Sequence, residues 1–152
     1  MEKALLSVHV LAAIVFVGGS AVATSLFPRY APVAAPAGTA AGDSGERDRA
    51  VAVLLHRVSR GYGIAGLVVP AAGIVLGVVQ GRMGELWLNV SMVLTIVAGG
   101  LLALLICPRQ REALATPGSA ERLRSLSMLA GIYNLLWAIV VVLMIARPEA
   151  GT

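Results

Sequence analysis

The side chains of this sequence that can do chemistry are few: two histidines, one cysteine and five methionines. His9 stands inside an apolar run from Ala4 to Phe27. An ionisable group in a segment of that length is costly to place in a membrane and marks a functional-site candidate. A neutral imidazole suits haem iron or another metal as an axial ligand. The same ring would serve equally as a neutral core histidine bonded to a backbone carbonyl or a serine. At helical spacing His9 shares its face with Ala13, Phe16, Ser20 and Ala23. Small residues on that face turn it toward neighbouring helices rather than toward lipid.

The other candidates read differently. His56 lies among Arg49, Arg57 and Arg60 and is expected to be a solvated residue at the membrane interface. At about 1.5 Å of rise per residue, it and His9 should differ in depth by roughly 20 Å. Two ligands of one iron need their nitrogens only about 4 Å apart, so no site joining the two is expected. Cys107, beside Pro108, is a small apolar filler or an acylation site; alone, it makes no intrachain disulfide and says nothing of redox compartment. Met83, Met92, Met128 and Met144 are scattered, which gives no support to a thioether copper relay.

The elements that must position these groups are four apolar runs, 4–27, 61–79, 87–107 and 126–146. Each reaches the length of about 20 residues that a helix needs to cross a bilayer. Composition agrees: 58% of the 152 residues are apolar and 13% are charged, and mean hydropathy is +0.86, all outside the range of soluble domains. The expected fold is all-α, an integral membrane antiparallel four-helix bundle forming one domain over 1–152. Ala21-Val22-Ala23 resembles a signal-peptide cleavage site, but the apolar run outlasts an h-region and the segment is expected to be retained. Residues 28–45, rich in Pro, Ala and Gly, read as a poorly ordered loop. Asp43 and Glu46 resemble a helix start, so helix two should extend back to about residue 46, with an apolar face through Val51, Leu54, Leu55 and Val58.

Nine arginines (Arg29, Arg47, Arg49, Arg57, Arg60, Arg109, Arg111, Arg122 and Arg124) flank the first and third connections, against Lys3, Arg82 and Arg147 on the opposite side. The positive-inside rule puts loops 1–2 and 3–4 in the cytoplasm and both termini outside the plasma membrane, with Trp87 at the outer interface. The net charge of +4 is thus a membrane-surface signal, suited to anionic headgroups; no aromatic-basic pattern of a nucleic-acid surface accompanies it.

Small residues carry the packing signal. Gly66, Pro70, Gly73, Gly77 and Gly81 recur every three or four residues on helix two; Ser91, Thr95, Gly99 and Ala103 form a stripe on helix three; Ala130, Asn134 and Ala138 form one on helix four. Such stripes let backbones approach closely in lipid. They are expected to seam the helices together, and the glycine ridge would also serve to dock a partner chain or a flat cofactor.

Absences narrow the chemistry further. No Asp or Glu falls inside the four runs, so no carboxylate proton relay is on offer. No metal-spaced Cys/His cluster, phosphate-binding glycine loop or nucleophile motif occurs. Paired broken helices of a secondary transporter are also missing.

One resemblance follows from these motifs. His9 followed by Phe16, Gly18-Gly19 and Pro28-Arg29, then Tyr62, Pro70 and Gly77, Trp87 opening helix three, and the closing Val142-Leu143-Met144-Ile145-Ala146-Arg147-Pro148 resemble a superfamily. It includes the copper-resistance D proteins, the HemJ-type protoporphyrinogen oxidases and small four-helix membrane proteins of unknown function, the last being nearest in length and ending. The resemblance implies that His9 corresponds to the first-helix histidine implicated in haem binding in the HemJ-type proteins. Two departures speak against protoporphyrinogen oxidation. Ser91 stands where those enzymes carry a lysine four residues after the tryptophan, and Phe27-Pro28-Arg29 lies several residues later than in them.

Two functions are therefore expected. One is a haem b- or porphyrin-binding membrane protein with His9 as the single protein ligand, serving electron transfer or haem handling. The other is a non-catalytic subunit or assembly factor, in a homo-oligomer or a larger membrane complex, packed through the helix-two glycines. Copper uptake is a distant third.

Overall fold

The computed structural model describes residues 1–33, 43–118 and 120–148. These are helical almost throughout, and four segments are long and apolar enough to cross a membrane: Lys3–Tyr30, Asp48–Val79, Leu86–Ala115 and Ala120–Ala146. The first connection lies mostly outside the described residues. Within them, the opening helix continues through Pro28 to Tyr30 and the next begins at Asp43. An isolated bridge between Val33 and Gly118 ties the first connection to the third.

Three of the four segments are interrupted. The first consists of α1 (Glu2–Ala12), a π-helical turn at Ala13–Val17 and α2 (Gly18–Tyr30). The second consists of α3 (Asp43–Ala65) and α4 (Val68–Val79), broken where Pro70 has no N–H to give the Gly66 carbonyl. That carbonyl takes the Val69 N–H instead, at 3.1 Å. A Cβ on Gly66 would lie 2.6 Å from the Tyr62 carbonyl oxygen, so the break needs glycine there. The third segment consists of α5 (Leu86–Gly100), a π-helical turn at Leu101–Ile106 and α6 (Cys107–Ala115). Its π turn precedes Pro108, whose ring crowds the preceding turn, and local widening of this kind re-satisfies the backbone in lipid. The fourth segment, α7 (Ala120–Ala146), is unbroken.

Polarity is inverted relative to a soluble protein. Ser20, Thr24, Ser59, Ser91 and Gln110 are buried, while Ile14, Ile64, Leu86, Ile96, Leu104 and Ile145 stand exposed. Three of the buried hydroxyls return their hydrogens to the helix: Thr24 donates to Ser20, Ser91 to Trp87 and Thr95 to Ser91, each to the backbone carbonyl at 2.8 Å. Apolar surface on this scale is compatible with a molecule that faces lipid.

The two ends of the molecule pack differently. At the end carrying the first and third connections, α2 lies on both α3 and α7, and α3 lies on α6. A core of Phe27, Ala31, Ala52, Ala113, Leu114 and Leu126 closes that end. Polar pairs tie the helices beside it: Ser20 and Tyr133 share a hydrogen bond at 2.8 Å, and Asn134 donates to Ser25 at 2.8 Å. At the opposite end α1 packs on α4 and α5 packs on α7, while α1 and α7 make at most marginal contact. The helices are close-packed at one end and parted into two pairs at the other.

One expectation about faces is corrected. On α3, Val51 and Leu54 of the apolar face read from spacing are exposed, and the buried residues are Ala52 and Ser59. In lipid, apolarity does not mark the inside of a helix, whereas small size does. On α5, Ser91 and Thr95 are buried as expected, but Gly99 and Ala103 face outward, and Ala98, Leu102 and Ile106 continue the inner face. A strict four-residue stripe overshoots the 3.6-residue turn and drifts off the face. A Cβ added at Gly99 would accordingly meet nothing within 4 Å.

Candidate functional site

Between the two helix pairs lies a cavity of about 520 Å³, lined by residues of all four segments. That size is within the range of small-molecule and cofactor sites. His9 is 8% exposed and lines this cavity from the last turn of α1, directly before the π turn. π turns of this kind are frequent at functional sites.

Gly73 makes room for the imidazole. A Cβ there would stand 3.4 Å from Cε1 and 3.9 Å from Nδ1 of His9. The backbone carbonyl of Val69, at the Pro70 kink, is within hydrogen-bonding reach of the ring, while the buried Nδ1 makes no hydrogen bond of ordinary geometry. An unpartnered buried nitrogen costs about 1–3 kcal/mol, and such a group in a native fold calls for an explanation. A bound ligand is one.

The remaining lining is neutral. Ser91 and Thr95 reach the cavity, but their hydrogens are committed to backbone carbonyls, leaving only acceptor oxygens. Trp137 also lines it. Its ring sits edge-on to Tyr133, with centroids 6.3 Å apart, and its buried Nε1 lies near the Tyr133 hydroxyl without a hydrogen bond of ordinary geometry. Met92 and Met144 contribute thioethers. Among the described residues no Asp, Glu, Lys or Arg lines this cavity, and no three His, Cys, Asp or Glu side chains gather as a metal site.

The helix-two ridge divides into separate tasks. Gly66 permits the kink and Gly73 faces His9. A Cβ on Gly77 would lie 3.0 Å from Leu88 and 3.1 Å from Met83, so Gly77 seats the start of the third segment. Gly81 is exposed, with φ +67. The Arg82 N–H bonds to the Gly77 carbonyl and the Gly81 N–H to that of Val78, which makes Gly81 the left-handed residue of a Schellman cap.

His56 is brought to no common site with His9, and it is partly buried rather than fully exposed. Its Nδ1 stands 3.1 Å from Oε1 of Gln110, and Gln110 Nε2 donates to Ser59 at 3.5 Å. Gln110 is 1% exposed. The cluster crosses from α3 to α6, and the arginines around His56 in sequence give no hint of a glutamine 54 residues away.

Comparison with known proteins gives no match to a family model, to a curated protein or to a solved structure.

Proposed function

We propose that this is an antiparallel four-pass protein of the plasma membrane, with both termini outside, whose outer-half cavity holds haem b or a related porphyrin against His9. The observation that carries the reading is the buried imidazole of His9, whose Nδ1 has no hydrogen-bond partner, in the wall of a cavity of about 520 Å³. The basic residues beside the first and third connections support the orientation.

The residues fit such a ring in kind. A neutral imidazole nitrogen is a ligand for haem iron, and an apolar wall suits the macrocycle. Met92 and Met144 would add thioethers to the wall around the ring, with His9 as the single protein ligand. Lys3 and Arg147 lie in sequence just beyond the cavity residues His9 and Ile145, on the side where acidic substituents would reach water. When bound, the haem would supply one-electron chemistry. The protein's part is to hold the imidazole by the Val69 carbonyl and the Gly73 backbone and to exclude water. Ser91, whose hydroxyl is given to the Trp87 carbonyl, offers no amine, in keeping with electron transfer or haem handling rather than oxidation of a porphyrinogen.

The test is the absorption spectrum of detergent-purified protein supplied with haem. A Soret band that His9→Ala removes is the expected result; a colourless preparation refutes the reading. The alternative of a subunit docked through the helix-two glycines has less support, because Gly66, Gly73 and Gly77 are engaged within the chain.

A further inference from the structure

We infer that the cavity is loaded sideways from the acyl-chain layer, through a gap between the first and fourth segments, and that a lipid acyl chain fills it when the ligand is away. The inference concerns the same cavity as the proposed haem site but does not depend on haem.

The position of the opening follows from the packing. Between the second and third segments the cavity end is closed: the connection is short, and Gly77 seats Leu88 and Met83. Between the first and fourth segments no connection exists at that end, and α1 and α7 make at most marginal contact. The facing edges there are Val10 and Ile14 on one side and Val141 and Ile145 on the other. All four line the cavity and all are exposed, Ile14 at 65% and Ile145 at 78%. The cavity wall is thus continuous with the lipid-facing surface. Its outlet is apolar, and nothing in it would hold a charged group on the way in.

Its contents follow from chemistry. A buried water needs two to four polar partners. This lining offers the acceptor oxygens of Ser91 and Thr95 and the buried nitrogens of His9 and Trp137, too few polar groups for the several waters such a volume would hold, among side chains that are otherwise overwhelmingly apolar. Water cannot occupy such a volume cheaply, whereas an acyl chain entering it from lipid keeps an apolar environment. A ligand for this site is therefore one dissolved in the membrane, with a neutral apolar body, and it displaces lipid rather than water.

The experiment uses Trp137 as the reporter. The chain has two tryptophans, so Trp87→Phe leaves Trp137 alone in the cavity wall. In haem-free protein reconstituted into phosphatidylcholine vesicles with brominated acyl chains, Trp137 should lose most of the emission it shows in unbrominated vesicles. Filling the cavity with Ala13→Phe, or with Gly18→Leu, where nothing lies within 4 Å of the added Cβ, should restore it. Emission indifferent to bromine overturns the inference, as does quenching that both filling variants leave unchanged. Quenching without a Soret band supports it and removes haem; a Soret band without quenching leaves haem and removes the lateral route.

Discussion

The joint between the first and second segments, immediately below the cavity, can be tested by one methyl group. A Cβ on Gly19 would lie 2.4 Å from Cε2 and 2.8 Å from Cζ of the Tyr62 ring. Ordinary contact begins at 3.4 Å, so Gly19→Ala must drive the ring away by about an ångström. The ring is not free to go, because it meets Phe16 edge-on with centroids 5.7 Å apart and planes at 68°. Overpacking of this kind costs about 1–3 kcal/mol, and loss of the aromatic pair would add about 0.5–1.5 kcal/mol. Equilibrium unfolding in mixed micelles, followed by circular dichroism, should show Gly19→Ala destabilised by about 2–3 kcal/mol. In a Tyr62→Leu background the same substitution should cost little, which gives a coupling of opposite sign and similar size. A Gly19→Ala protein as stable as the parent, or an equal loss in both backgrounds, would refute the idea that these helices meet through this contact.

Two further substitutions probe the ends of the molecule. Gln110→Leu removes the partner of both His56 and Ser59 and should lower stability by about 1–3 kcal/mol in the same unfolding assay, while leaving any haem spectrum unchanged. At the cavity, Gly73→Ala places its methyl at ordinary contact with His9 and should shift stability by no more than about 0.5 kcal/mol. Gly73→Leu should instead displace the imidazole and shift or abolish the Soret band, as His9→Ala does.

Much of the architecture was legible because length and apolarity follow directly from bilayer thickness. Four runs gave four membrane-length helices, and His9 with Ser20 and Ala23 turned inward on the face drawn from their spacing. The side-chain partners across helices were not legible. Ser20 with Tyr133, Asn134 with Ser25 and His56 with Gln110 join residues 54 to 113 positions apart, and spacing within one helix carries no information about them. The breaks were half-visible. Pro70 and Pro108 mark two of them, but the turn at Ala13–Val17 contains neither proline nor glycine. Met92 and Met144, scattered in sequence, line one cavity in the fold, which spacing alone did not reveal.

That parting is the step from fold to function. In water an apolar cavity of this size would be driven to collapse, since burying its walls is favourable. Lipid exerts no such drive, because acyl chains solvate the walls as well as other side chains do. The gap coincides with backbone departures: the π turn follows α1, the Gly66–Pro70 break precedes α4, and close packing of Ser20, Phe27 and Tyr133 anchors the opposite end. Each departure costs backbone hydrogen bonding or glycine entropy that four straight helices would not incur. Costs of that kind, met around one imidazole, are what the proposed ligand site would require.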